Sequence, residues 1–420
     1  MLNTIVSLLS NPSVILAFVA CLGLILLRKS TSDIIMGTLK TLLGFLILSA
    51  GSDLIVAALV PFSSIFTEAF HLSGFIAEDN ALVAAVQTFL GFETSMIMIF
   101  SFIINILLAR FTKWKYVFLT GHMMFSFAGT MAIVLDQMGI NGWMAVAIGS
   151  AVQGISCIVF PIISQPFMQK ITGSNDVALG FWGSSAICLS GWIGGLLGNK
   201  EKSCEELNVP KNLGFLKDMS VLMSIVMIVV YLGTCLYAGN EIVSVYSGGQ
   251  DMFVFSLMTA LKFVAGILIL LQGVRMFLGE LVPAFRGISQ KLVPGAIPAL
   301  DVPIIYAYGP VSTTVGFVFA VIGGLLATLV STQLSAVILP SVIGLFFMGG
   351  AAGVLGNKLG GMRGAVVAGL ILGFVFSILP VLFFNMVDLS GYGISGLWFA
   401  STDAIVVLVI IRLIGMIFGL

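Results

Sequence analysis

The chain has 420 residues, of which 59% are hydrophobic and only 9% charged, and its 18 basic and 18 acidic side chains cancel. A soluble domain carries about a quarter charged residues, so these values exclude one and point to a polytopic membrane protein; zero net charge also leaves no electrostatic footprint for nucleic acid. Five scattered cysteines, Cys21, Cys157, Cys188, Cys204 and Cys235, form neither a CxxC pair nor a metal spacing and read as small packing residues.

In chain order, residues 1–12 lack a basic n-region, so no cleavable signal is expected and the run at 13–27 reads as a first span. Further apolar runs of spanning or near-spanning length follow at 41–60, 95–109, 116–135, 141–163, 218–238, 253–277, 311–331, 338–356, 363–385 and 399–418. Three stretches, 61–94, 178–198 and 280–310, are broken by Gly, Pro, Ser or charge. If the eleven runs cross and the N-terminus is outside, Arg28, Lys29, Arg110, Lys113, Lys115, Lys170, Lys200, Lys202, Arg286, Lys291, Lys358 and Arg363 all fall on the cytoplasmic side. Glu68, Asp136, Glu241, Asp251 and Asp388 then fall outside. That bias supports the arrangement and places the C-terminus in the cytoplasm. Letting 178–198 cross would put the basic 286–291 cluster outside, so this stretch is expected to be re-entrant or interfacial.

The run GFLILSAGSDLIVAALVPF from Gly44 matches GILILLQGVRMFLGELVPAF from Gly266 at a constant offset of 222, with Gly44/Gly266, Leu48/Leu270, Gly51/Gly273 and Pro61/Pro283 among the identical pairs. A repeat of half a membrane chain is the mark of secondary-transporter folds, in which substrate sits between the halves. Five spans precede the second repeat, so the halves are expected to be inverted. The expected fold is all-α: a first repeat over 1–198, a cytoplasmic linker over 199–217 and a second repeat over 218–420. The 61–94 and 280–310 stretches follow the second span of each half and read as re-entrant hairpins.

The same offset relates Asp79 to Asp301, one in each expected hairpin. Carboxylates at membrane depth default to function, and two of them facing one cavity would suit a polyhydroxylated ligand. Alternatively, each caps a short half-helix. The offset also relates Asp53 to Arg275, which reads as a structural ion pair that limits the desolvation of each partner. Glu280 accepts from a ligand hydroxyl or pairs with Arg286. His71 lies in an expected outer loop; His122, in FLTGHMMFSFAG, lies inside a span and offers nitrogen donors and acceptors without fixed charge. It is either a ligand contact or a helix-packing residue. No GxxxxGK[ST], GxSxG, HExxH or His/Cys metal cluster is present, so ATPase, hydrolase and metalloenzyme chemistry are not expected, nor is a cofactor.

Several stretches together resemble the membrane-embedded IIC subunit of the bacterial phosphotransferase system (PTS), in its L-ascorbate branch. They are CLGLILLRKS (21–30), GTLKTLLGF (37–45), LTGHMMF (119–125), QGVRMF (272–277), the segment from Glu280 to Ala296, Asp301 and NKLGGMRGA (357–365). The resemblance implies a homodimeric permease of the bacterial cytoplasmic membrane, with a dimer scaffold and a sugar-carrying core holding two hairpins. It also implies partnership with a separate phosphorylated IIB protein, with IIA upstream. The last run ends near the C-terminus, so no IIB or IIA domain is expected within the chain. The family's histidine of the TGH motif is His122, and the aspartate of its second hairpin is Asp301. At other contact positions this chain differs: the family's glutamine is Ser126, its Thr-Tyr pair is Asp79-Asn80, and its His-Gln pair is Ser185-Ala186. Met123 and Phe125 stand as apolar walls or as packing residues. A site built for hydroxyl contacts rejects mismatched partners, and Asp79 adds an anionic acceptor. The substitutions therefore favour a neutral pentose, hexose or polyol over the ascorbate anion. An ion-coupled transporter using Asp79 and Asp301, and a non-transporting sensor on the same scaffold, are the rival readings.

Overall fold

The computed structural model describes residues 12–70, 74–206, 219–334, 336–339, 341–394 and 397–419, and the side chains discussed below are those it describes. Apolar sequence becomes helix wherever no lipid-compatible alternative exists, because in hydrocarbon each backbone N–H and C=O must be satisfied within the segment. The first half holds α1 (Pro12–Leu26), α2 (Thr31–Phe70), α3 (Asp79–Phe111), α4 (Gly121–Asp136), α5 (Gly142–Thr172) and α6 (Ser184–Leu197). The second holds α7 (Met219–Tyr246), α8 (Met252–Lys291), the one-turn α9 (Pro303–Tyr306), α10 (Pro310–Ser331), α11 (Val342–Phe383) and α12 (Thr402–Phe418). Among the described residues, Phe89–Phe111, Gly142–Thr172, Met227–Tyr246, Pro310–Ser331 and Ile343–Met386 are long and apolar enough to cross a bilayer. The chain is thus a predominantly helical membrane protein.

Several boundaries differ from the sequence expectation. The arms of the 61–94 stretch are helical: α2 runs unbroken through Pro61 to Phe70, and α3 starts at Asp79 and bends at Leu90 (φ −122°, ψ 21°). The runs at 338–356 and 363–385 keep their separation as the two helical segments of α11, which parts at the non-helical pair Gly360 and Gly361. Gly361 has φ 62° and a Cβ there would collide with the carbonyl of Asn199, so only glycine fits the break. The 178–198 stretch holds a 14-residue helix, α6, that packs along α11. Small residues let these backbones meet. A Cβ on Gly316 of α10 would strike the carbonyl of Gly349 of α11, and one on Gly194 of α6 would strike that of Gly364.

No strand was expected from the sequence, but among the described residues six short ones build two three-stranded parallel sheets. In one, β1 (Gly74–Ala77) lies between β5 (Val337–Leu339) and β6 (Leu397–Trp398). In the other, β4 (Ile297–Leu300) lies between β2 (Tyr116–Phe118) and β3 (Ala178–Leu179). Each central strand comes from one half and both of its neighbours from the other. Pro298, which has no N–H, is tolerated in a central strand for a positional reason. Ile297 N donates to Lys115 O on the β2 side and Leu300 O accepts from Gly180 N on the β3 side. By alternation Pro298 faces the β3 side, one residue before β3 pairs at Ala178↔Ala299.

Residues 199–206, in the expected linker, dock at the α11 break: Asn199 N donates to Gly360 O (2.7 Å), Met362 N to Lys202 O (2.7 Å) and Cys204 N to Asn357 Oδ1 (2.8 Å). The Glu205 carboxylate accepts from Val311 N, Ser312 N and Ser312 Oγ at the start of α10, the end of a helix at which an anion is stabilised.

Candidate functional site

All three strands of the β2–β4–β3 sheet run the same way, so their carboxyl ends meet. Each then turns into a helix, and the orphan N–H groups of three helix starts converge there. Strand β2 leads through Leu119 and Thr120 into α4, which places His122 in the first turn. Strand β4 delivers Asp301 one residue past its end, and β3 leads through Gly180, Phe181 and Trp182 into α6. Ligands in parallel-sheet folds gather at carboxyl ends for the same reason.

The Asp301 side chain is buried, and its Oδ1 accepts from Val302 N (2.7 Å). Its Oδ2 lies 3.5 Å from His122 Nε2, and the His122 side chain is 21% exposed against 7% for Asp301. In the register that pairs Phe118 with Ala299, Thr120 comes level with Asp301, and its Oγ1 is buried with no hydrogen-bond partner among the described residues. The turn that carries His122 is held from behind. Trp182 Nε1 donates to Met123 O (2.6 Å), and Gln153 Nε2 donates to Met124 O (2.7 Å). The Trp182 ring stacks on Phe118 (4.5 Å, 14°) and leans on Phe127 (4.5 Å). A backbone carbonyl bound by a fully buried indole cannot shift without leaving that N–H unpaired.

The other predicted residues divide. Met123 and Ser126 are buried, and Ser126 Oγ donates to Met123 O (3.1 Å) within its own helix; Phe125 is half-buried. Ser185, in the first turn of α6, is half-buried and donates through Oγ to Asp403 Oδ1. Asp79 belongs to the other sheet. Its Oδ1 accepts from Ala400 N (2.9 Å), and its Oδ2 accepts from Ser401 N (3.0 Å) and Ser401 Oγ. It begins α3 but bonds donors across the sheet rather than the N–H groups of its own helix. Asn80, Glu280, Asp53 and Arg275 lie in helices, but their side chains fall outside the described residues, as does His71. The helices that carry Asp53 and Arg275, α2 and α8, pack against each other.

Sequence reasoning missed Asp403. It lies in the first turn of α12, fully buried, and its carboxylate also accepts from Ser184 Oγ (3.1 Å) and Ser185 N (3.3 Å). Its own N donates to Trp182 O (3.3 Å). The repeat pointed elsewhere, since an offset of 222 maps position 403 to Phe181. The usable signal was the carboxylate inside the apolar run STDAIVVLV. Among the described residues no cluster of three or more His, Cys, Asp or Glu could hold a metal ion.

Residues 7–403 match the family model described as PTS system sugar-specific permease component. The chain is also 28% identical, over 429 aligned residues, to a protein of Mycoplasma pneumoniae named ascorbate-specific PTS system EIIC component. That alignment covers 87% of this chain and 64% of the relative, so the chain spans less than two thirds of the relative's length. The family match runs over nearly the whole chain, through both sheets and both halves, and on that ground the chain belongs to the PTS sugar-specific permease family.

Proposed function

We propose that this chain is the membrane permease of a phosphoenolpyruvate-dependent sugar phosphotransferase system. It takes L-ascorbate or a related sugar or polyol from outside and presents it on the cytoplasmic side. There a separate, phosphorylated IIB protein, with IIA upstream, transfers the phosphoryl group. The chain itself supplies binding, orientation and access. The observation that carries this reading is the His122–Asp301 pair. Among the described residues, the buried Asp301 carboxylate has one backbone donor and a half-open histidine, and a buried hydroxyl with no partner sits beside it. A polyhydroxylated molecule satisfies all three, because each of its hydroxyls both donates and accepts.

The architecture in this reading is eleven spans in two inverted repeats, 1–198 and 218–420, with the N-terminus outside and the C-terminus in the cytoplasm. Support comes from the charge bias, the 222-residue offset and the sheets, each a hairpin strand completed by two strands of the opposite half. A scaffold built on α2 and α8 forms a homodimer, and the core with the two sheets moves against it to alternate access. His122 and Asp301 contact the sugar, Glu280 adds an acceptor, and Asn80, Ser126, Ser185, Met123 and Phe125 shape the surroundings. Asp79 sets the position of the first hairpin. The relative's name supports ascorbate; the exchange at Ser185-Ala186 supports a different, neutral sugar.

The test is a thermal-shift screen of the purified protein with L-ascorbate, pentoses, hexoses and polyols, since a ligand that binds the native state raises its stability. At least one of these is expected to stabilise the wild-type protein but not Asp301→Asn. Equal stabilisation of both would remove Asp301 from the site.

A further inference from the structure

Asp403 stands apart from the residues expected to bind sugar, yet it joins the two sheets. Its helix α12 follows β6 of one sheet, and its carboxylate grips the first turn of α6, which follows β3 of the other. The charge lies in the first turn of its own helix and at the start of a second one, so two helix dipoles favour the carboxylate. Its oxygens accept from Ser185 N and from the Ser184 and Ser185 hydroxyls, so in the ionised form both hydroxyl hydrogens point at it. Ser184 is fully buried, whereas Ser185 is half-buried, and both open α6, which follows β3 at the carboxyl end of the sheet that also carries His122 and Asp301. With its single hydrogen committed, the open side of Ser185 carries lone pairs only.

We propose that Asp403 is a positioning residue that fixes Ser185 as a hydrogen-bond acceptor toward the ligand, so that the carried molecule meets this corner with a donor hydroxyl of a neutral sugar or polyol. A carbonyl, ether or anionic oxygen would set lone pair against lone pair there, with the buried Asp403 charge adding repulsion. The selectivity is thus built by two residues, one of which the ligand never touches. This inference rests on the permease reading and narrows its substrate class.

The experiment measures apparent affinities of the full-length protein for xylitol, D-glucitol and L-ascorbate, by thermal shift and calorimetry, in wild type, Asp403→Asn and Ser185→Ala. Wild type is expected to prefer a neutral polyol. Asp403→Asn removes the charge and lets Ser185 donate, so the polyol-to-ascorbate affinity ratio should move toward ascorbate by about tenfold or more, the size of a good hydrogen bond plus a nearby charge. A merely structural Asp403 would weaken all three ligands alike and leave that ratio unchanged, which overturns the proposal. Should Asp403→Asn fail to fold, Ser185→Ala decides. It keeps the backbone donor at 185 and the Ser184 hydroxyl for Asp403, and should weaken the polyols about tenfold while changing ascorbate by less than about threefold. Equal losses, or a wild type that binds ascorbate alone, also overturn it. If none of the three ligands binds wild type, it is the permease reading for these sugars that fails, and this inference falls with it.

Discussion

Asp79 and Asp301 lie 222 residues apart, each just beyond the central strand of a three-stranded parallel sheet and each buried, and yet they are used differently. Asp79 is saturated by two backbone N–H groups and a hydroxyl from Ala400 and Ser401, at the end of β6. Asp301 has its neighbour's N–H and, 3.5 Å away, His122. The difference lies in the third strand of each sheet. After β6 come Phe399 and then Ala400 and Ser401, which turn their N–H groups onto the carboxylate. After β3 come Gly180, whose N–H goes to Leu300 O, then Phe181 and Trp182, whose indole is packed in the Phe118–Phe127 stack and sends its N–H to Met123 O. One aspartate is therefore spent holding a sheet to a hairpin, while the other keeps acceptor capacity for a guest. An acceptor keeps free capacity where the fold's own donors are turned elsewhere.

The largest effect that would break this contrast is on stability. Asp79→Ala should lower the unfolding midpoint of the ligand-free protein sharply, because three buried donors lose their acceptor at about 1–3 kcal/mol each. A midpoint equal to wild type would show that Asp79 is not structural. Asp301→Asn should do the reverse. Its midpoint should stay close to wild type, while sugar affinity falls about ten- to a hundredfold, the worth of a charged hydrogen bond of about 1.5–3 kcal/mol. If it unfolds as readily as Asp79→Ala, the two aspartates are equivalent after all. Trp182→Phe keeps the aromatic packing and deletes one hydrogen bond, about 1 kcal/mol. It should weaken sugar binding severalfold by loosening the turn that carries His122, and unchanged affinity would mean that this turn is held by Gln153 alone. The smallest effect concerns the docked segment at 199–206. Burial, and then the neighbouring Glu205 carboxylate, push the Cys204 thiol up to about 12. It therefore stays protonated near neutral pH and unreactive toward maleimide in the native protein. Rapid native labelling, followed by mass spectrometry of the peptide, would show that the segment leaves the Gly360–Gly361 break.

Much of this was legible in the chain. Composition placed it in the membrane, the Gly- and Pro-broken stretches marked where the backbone departs from simple spans, and the 222-residue offset linked Asp79 with Asp301 before any coordinates. His122 and Asp301, chosen from motif and depth, are in fact neighbours at one sheet end. The strands were not legible. They are two to four residues long and pair across more than 100 positions, so no local alternation marks them. Asp403 was missed because the repeat offset carries it to a phenylalanine and its partners, Ser184 and Ser185, lie 219 and 218 residues away. The Gly-Gly pair at 360–361, beside charged residues, marked the break between two runs, whereas the sequence did not show that close packing on α6 and the docked 199–206 segment hold it as a tight bend within α11.

The sequence by itself determined the solvent this protein lives in, its helical class, its family and the two residues at the centre of its candidate site, because hydropathy, composition and short motifs are local properties. Tertiary structure alone decided which of the two aspartates lacks further protein donors, which carboxylate holds the Ser185 hydroxyl, and which strands complete each hairpin. Those outcomes depend on donors and acceptors brought together from opposite halves of the chain, and a hydrogen bond is settled by where both partners end up.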